Sequence, residues 1–246
     1  MAIFLRWTGK RRSLVDALSV PGLSSIDFEL PRIEFSPRET DYLEMNDILD
    51  GYAAATTPEL IARYDAFNPN ELYASVLDLL PQTPVRVADI GTGTGRDAAW
   101  FARQGHQVLA VEPVKELREA GMALHGKDKI EWLDDRLPSL EKTQMRGPFE
   151  LVTLCGVWQH IDDAARQIAM VHLGQMVSDS GLLVMSLRHG PGFPGRRVFP
   201  VSPDETIEAA TRSGFTLQRR SQSESIQPGN RAMGVHWTWL AFRKDG

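Results

Sequence analysis

The stretch Val85–Trp100, VRVADIGTGTGRDAAW, decides how this chain is read. Apolar and β-branched residues run up to an acid, Asp89. Glycines follow at alternate positions, Gly91, Gly93 and Gly95, and a helical pattern begins after them. A buried run of this kind, closed by a glycine-rich turn and a helix start, is the strand–turn–helix unit of open α/β sheets. Ligands bind such sheets at the carboxyl ends of the strands, where backbone N–H groups and the helix N-terminus converge.

The glycine spacing separates the candidate ligands. A dinucleotide-binding turn has the pattern G-x-G-x-x-G, whose last glycine lets the helix pack closely on the strand. Here the third glycine comes one residue early, and Arg96 stands where that turn needs glycine. A P-loop ends in Gly-Lys-Ser/Thr, and no such triplet follows. The pattern that is present, D-x-G-x-G-x-G over Asp89–Gly95, resembles motif I of the class I S-adenosylmethionine-dependent methyltransferases. The resemblance implies S-adenosyl-L-methionine as cofactor. It places Asp89, Gly91, Thr92, Gly93 and Arg96 at the cofactor, the glycines letting backbone approach its methionine part and Asp89 holding the ammonium directly or through water.

Later segments agree. Val108–Pro113 reads as the second strand and ends in Glu112, 23 positions beyond Asp89. An acid roughly 20 residues on, at that strand tip, can accept hydrogen bonds from both ribose hydroxyls. Such an acid serves nicotinamide enzymes equally, so it supports a nucleoside without naming one. Pro113 follows it at a favoured first helical position. A third strand, Lys129–Leu133, leads into Asp134 and Asp135. In similar methyltransferases an acid there receives the adenine amino group, and Asp134 is the preferred candidate. A fourth strand, Phe149–Cys155, is followed by Gly156, Val157, Trp158, Gln159 and His160. The resemblance puts Cys155 and Gly156 beside the cofactor. It covers the chain from about Val85 to the C-terminus.

The expected fold is therefore α/β: a Rossmann-like methyltransferase fold with a mostly parallel seven-stranded sheet and helices on both faces. An antiparallel C-terminal hairpin is expected from Phe215–Leu217 and Val235–Phe242, with no helix between them. Three regions are expected: an irregular arm over residues 1–35, a helical lid over 36–81, and the cofactor-binding core over 82–246. In the lid, Ser36–Glu39 forms a capping box, Thr57-Pro58 opens a helix, and Asn70 caps a third helix running to Leu80. In the core, Asp162 or Asp163 starts a helix that Gly181 stops, and Ser202–Glu205 is a second capping box.

The chain has 246 residues, room for one large α/β domain with an added lobe. Its net charge of −5 argues against a broad phosphate-binding surface, so nucleic acid is not the expected partner. With Cys155 as the only cysteine there is no disulfide framework and no multi-cysteine zinc site, and no metal is expected. No apolar run reaches the length of a membrane helix. The first residues lack a secretory apolar core but are basic, with no acid before Asp16, as in a transit peptide. A cytoplasmic enzyme is the expectation.

Methyl transfer from a sulfonium is an in-line displacement, so much of the acceleration can come from holding the partners collinear in a dry site. A base is needed only when the nucleophile carries a firmly held proton. His160 and His189, each just past a strand, are the base candidates, and each has an alternative reading as a packed structural histidine. Trp158 either stacks on the acceptor or fills core. Cys155 lacks the Pro-Cys or Thr-Cys setting of a cysteine nucleophile, and CGVW is unlike the Asn/Asp-Pro-Pro-aromatic segment of exocyclic-amine base methylases. The glycine- and proline-rich segment from Ser186 to Pro203 carries Arg188, His189, Arg196 and Arg197, which either clamp an acceptor carboxylate or phosphate or lie in solvent. Tyr52 and Tyr64 of the lid either close over the site or pack. The expected acceptor is a small molecule methylated on oxygen or nitrogen. The alternatives are a tRNA or protein acceptor, or an inactive cofactor-binding regulator.

Overall fold

The computed structural model describes residues 39–193 and 195–246, and side chains from residue 46 onward. The expected arm over residues 1–35 and the capping box at Ser36 lie outside the described residues. The seven strands are β1 (Arg86–Ile90), β2 (Gln107–Val111), β3 (Ile130–Leu133), β4 (Phe149–Cys155), β5 (Val177–His189), β6 (Phe215–Glu224) and β7 (His236–Lys244). They form one sheet in the order β3-β2-β1-β4-β5-β7-β6. All neighbours are parallel except β7, which runs antiparallel to both β5 and β6. This is the expected Rossmann-like arrangement, with the order reversing between β1 and β4, where a crevice opens at the carboxyl edge.

Alternation along the strands builds two cores. Ala88, Ile90, Val152 and Leu154 face one side, with Met170 and Leu173 packed over them. Val87, Leu151, Val184 and Ala241 face the other, under Tyr73, Val76, Ala98 and Phe101. A period of two on central strands buried on both faces is what reads in the sequence as nearly unbroken apolar runs. On one of these inner positions sits Asp89, which makes it a buried charge by construction.

Six helices are needed to place the site: α1 (Glu39–Ala55), α2 (Pro58–Asp65), α3 (Pro69–Leu72), α4 (Arg96–Arg103), α5 (Lys115–Leu124) and α6 (Glu141–Gln144). Then come α7 (Asp163–Met176), α8 (Pro203–Arg212) and α9 (Pro228–Ala232). Thr57, Asp162 and Ser202 each cap a helix by accepting a backbone N–H, as their sequence positions suggest. The third lid helix differs from expectation. Asn68, not Asn70, is the cap, and the α-helix lasts one turn before a 3-10 turn at Leu77–Leu79. Val76 and Leu80 are still buried, so the apolar stripe is satisfied without a continuous helix. β5 begins at Val177, directly after α7, and Gly181 lies inside that strand. The connection between β6 and β7 contains α9, contrary to the expected helix-free hairpin, yet the two strands still pair antiparallel.

The glycine turn is fixed by contacts on every side. The amides of Gly91 and Thr92 both donate to the Val111 carbonyl, at 2.8 and 3.1 Å. Gly95 has φ of 80°, and a Cβ there would sit 2.4 Å from the Trp132 ring. Gly95→Ala combines about 1–2 kcal/mol of left-handed strain with about 1–3 kcal/mol of overpacking. Urea unfolding should show a loss of roughly 2–4 kcal/mol with an unchanged denaturant slope; a loss below about 1 kcal/mol would mean the turn relaxes freely.

Candidate active site

A cavity of about 700 Å3 opens at the carboxyl edge of β1, β2, β4 and β5 and runs under α1 and α2. That volume is in the upper range of small-molecule sites, which span about 300–1,000 Å3. Of the residues expected at the site, all line it except Asp134, Trp158, His189 and Arg197.

At one end stand two carboxylates. Asp89 is 2% exposed and accepts hydrogen bonds from the hydroxyls of Thr92 and Thr153, the latter at 2.7 Å. Burial, with Asp97 nearby, pushes its pKa up to about 6. Glu112 is equally buried, and its two oxygens accept from the amides of Gly93 and Val114, each at 2.8 Å. Burial pushes Glu112 up to about 7 against those amides. A Cβ at Gly93 would meet nothing within 4 Å, so the backbone of the turn is open at that point. Gly91 and Gly156 are closed off by Val157 and Trp237. Neither carboxylate forms an ion pair among the described residues, and a ligand that brings an ammonium and hydroxyl donors suits them, since each carboxylate oxygen can accept a second hydrogen bond.

Arg96 has a different task. Its Nε and Nη2 donate to the two oxygens of buried Asp97, at 2.7 and 2.9 Å, and its Nη1 donates to the Tyr64 carbonyl. Tyr73 donates to the same carboxylate. Arg96 therefore ties α4 to the end of α2. Beyond β3, Asp135 is on the cavity wall, with one oxygen accepting from both the amide and the hydroxyl of Thr143 at 2.7 Å. Asp134, the preferred adenine partner from sequence, points away and pairs with Arg118 at 3.3 Å while 61% exposed. Two neighbouring acids at a strand end face opposite ways, so the choice between them was one of register.

At the other end Tyr52 and Tyr64 come down from the lid. Tyr52 Oη lies 2.8 Å from His160 Nε2, and His160 Nδ1 lies 3.0 Å from the Arg197 carbonyl. A carbonyl can only accept, so Nδ1 carries the proton; Nε2 is then an acceptor and Tyr52 donates to it. Burial pushes His160 down to about 4, with Arg188 and Arg196 adding to the shift. His189 is off the cavity, stacked on His236 and bonded to Thr238, which corrects it to a structural residue. Trp158 is 1% exposed in the core and is not a stacking platform. Arg197 contributes its carbonyl and lays its guanidinium against Phe199. Cys155 lines the cavity with its thiol pushed up to about 12 by burial, which removes it as a nucleophile.

Sequence reasoning passed over Trp237 and Trp239, which line the cavity from β7; their two-residue spacing is the signal that both face one side. Of the two adjacent arginines in the loop after β5, Arg196 reaches the cavity and Arg197 does not. Where α1 meets the loop after β5 the fit is tight: a Cβ on Gly51 would lie 1.7 Å from the Gly195 carbonyl oxygen.

Comparison with known proteins agrees with this geometry. Residues 64–245 match the family model described as a methyltransferase domain. The ubiquinone biosynthesis O-methyltransferase of Bradyrhizobium diazoefficiens is 29% identical over 102 residues, 42% of this chain and 39% of that protein. The matched part thus spans about two-fifths of that relative's length. Among solved structures, the 1,6-didemethyltoxoflavin-N1-methyltransferase of Burkholderia thailandensis superposes with a TM-score of 0.66 at 18% identity, covering 86% of this chain and 93% of that one. Magnesium protoporphyrin IX methyltransferase of Synechocystis PCC 6803 superposes at 0.57 and 13% identity, covering 86% and 88%. The chain belongs to the class I S-adenosylmethionine-dependent methyltransferase family.

The raised pKa of Glu112 has a thermodynamic consequence. A carboxyl protonated more readily when folded makes the folded state bind more protons, so stability falls as pH rises from about 4.5 to about 7. Glu112→Gln cannot ionise. Relative to the wild type without cofactor, this variant should gain on the order of 2 kcal/mol between pH 5 and pH 8 in unfolding free energy. Parallel stability curves would show that Glu112 ionises normally.

Proposed function

We propose that this chain transfers a methyl group from S-adenosyl-L-methionine to an oxygen or nitrogen of a small-molecule acceptor, in a cytoplasmic setting. The observation that carries the reading is the pair of buried carboxylates, Asp89 and Glu112, flanking an open glycine backbone at the tips of adjacent strands. The cofactor's ammonium would sit by Asp89 and its ribose hydroxyls by Glu112, with Pro113 and Asp135 toward the adenine. The relatives named above, with O- and N-methyltransferases among them, support the same chemistry. Among the described residues no helix is long and apolar enough to cross a membrane.

A small acceptor is favoured by where the arginines are. A nucleic-acid surface would need a continuous positive face. Instead Arg219 pairs with Asp78 and Arg220 with Asp204, at 2.6 Å, while Arg188 and Arg196 line the cavity. An inactive binder is disfavoured by the room left between the glycine turn and Tyr52.

His160 is the proposed base, with Tyr52 either relaying the proton or orienting the ring. The bound cofactor would supply the electrophilic methyl and keep the sulfur–methyl electron pair, and the proton of an acceptor hydroxyl would pass to Nε2 through the Tyr52 hydroxyl or in its place.

Calorimetry with S-adenosylmethionine, S-adenosylhomocysteine and NAD tests the cofactor assignment. The two sulfur nucleosides should bind and NAD should not. Glu112→Ala should weaken both by at least about tenfold, or about 1.4 kcal/mol, while the circular dichroism spectrum is kept. Unchanged affinity in both Glu112→Ala and Asp89→Ala would remove the site. With an acceptor in hand, His160→Ala should lower kcat by about 100-fold or more at unchanged S-adenosylhomocysteine affinity; a drop below about threefold would mean no base is used.

A further inference from the structure

Two arginines close the far end of the cavity, and among the described residues neither has an anionic partner. Arg188 is at the end of β5 and is 8% exposed, so its charge is well removed from water. Its Nη1 donates to the Gly190 carbonyl at 3.2 Å, and its buried Nη2 makes no hydrogen bond. Arg196 comes from the loop after β5. Its Nη1 donates to the Tyr64 hydroxyl at 3.2 Å, and its buried Nε makes no hydrogen bond. Both guanidinium carbons lie against the Phe193 ring, 5.8 and 4.8 Å from its centroid, and Arg196 also lies 5.4 Å from the Tyr52 centroid. No carboxylate forms an ion pair with either one among the described residues, whereas Arg96, Arg103, Arg118, Arg166, Arg219 and Arg220 each have one.

Two like charges held in one corner, Arg188 buried and Arg196 half-buried, repel each other and lose part of their hydration, so the protein is spending stability to keep them there. Aromatic faces recover only a part, about 0.5–2 kcal/mol for each good contact. The arrangement becomes favourable when an anion arrives, because charge-assisted hydrogen bonds to guanidinium are the strong ones and come in two-oxygen geometries. Four aromatic residues also line the cavity: Phe193, Tyr52, Trp237 and Trp239.

We propose that Arg188 and Arg196 together form an anion seat in the acceptor subsite, so that the methyl acceptor is a flat, largely apolar molecule bearing a carboxylate. This rests on the cofactor reading above and specifies which acceptors the same cavity takes. The seat holds the acid while the body of the acceptor packs against the aromatic wall, which turns its nucleophile toward the Tyr52–His160 pair. The anion makes no covalent bond and its charge is unchanged through the reaction. Arg188 and Arg196 are therefore positioning residues.

Matched probes test the seat without the natural acceptor. Protein saturated with S-adenosylhomocysteine is titrated with 4-hydroxybenzoate, 3,4-dihydroxybenzoate and 4-hydroxycinnamate, each beside its neutral amide, and with 4-hydroxyphenyl phosphate. At least one acid should bind tenfold or more tightly than its own amide. Arg196→Gln, in the loop, and Arg188→Gln should each reduce that preference to threefold or less while S-adenosylhomocysteine affinity stays within twofold. Arg188→Lys and Arg196→Lys should restore part of it. If the phosphate alone shows the preference, the seat takes phosphate and the carboxylate assignment is overturned. No acid preferred over its amide, or a preference that survives both Gln variants, overturns the seat with the cofactor site intact. Failure of S-adenosylhomocysteine itself to bind overturns the cofactor reading and this proposal with it.

Discussion

One contact pattern holds the rest in place: the turn after β1 is bonded to the tip of β2. The amides of Gly91 and Thr92 donate to the Val111 carbonyl, and the Gly93 amide donates to the Glu112 carboxylate. Two adjacent parallel strands are thereby joined at their carboxyl ends through backbone, with one side chain completing the join. Shape and charge are set in the same place. The turn has to expose its amides for α4 to start beside β2, and Glu112 has to be buried to reach one of them. A buried acid held by amides is costly unless something answers its remaining lone pairs. The same bonds that build the fold therefore also leave a polar surface awaiting a ligand.

The helices before β1 are connected to that turn by a second buried charge. Asp97, one residue into α4, receives Arg96 and Tyr73, and Arg96 continues to the Tyr64 carbonyl. A dinucleotide fold keeps the Arg96 position bare so that its helix can press on the strand. Here α4 presses on the Trp132 ring through Gly95, as α5 does through Gly121, which frees the position after Gly95 for a long side chain. The glycine register is thus more than a marker of cofactor class. Shifting it by one residue gives the core a handle on the chain that precedes it.

Much of this could be read in the residues. The apolar runs of β1, β2 and β4 announce strands buried on both faces, and caps such as Thr57, Asp162 and Ser202 are local chemistry that tertiary contacts do not override. What could not be read depends on which way a side chain turns or on contacts distant in sequence. Asp134 and Asp135 differ by half a strand period, so a one-residue uncertainty in where β3 ends exchanges their faces. Trp158 and His189 follow strands in the manner of site residues, but Trp158 is drawn into the core by α7 and His189 is captured by its antiparallel neighbour β7. Arg196 and Arg197 are adjacent in a loop with no periodicity to tell them apart. Asn68 displaced Asn70 as a cap because Pro69 suits the first helical position after it.

The close approach of Gly51 to the Gly195 carbonyl makes one seam answer for two residues of the cavity wall. Tyr52 follows the first glycine and Arg196 the second. A side chain at position 51 has no room, because its Cβ would lie 1.7 Å from that carbonyl oxygen. Forcing the seam apart would draw the phenol from the imidazole and the guanidinium from the Tyr64 hydroxyl in one movement.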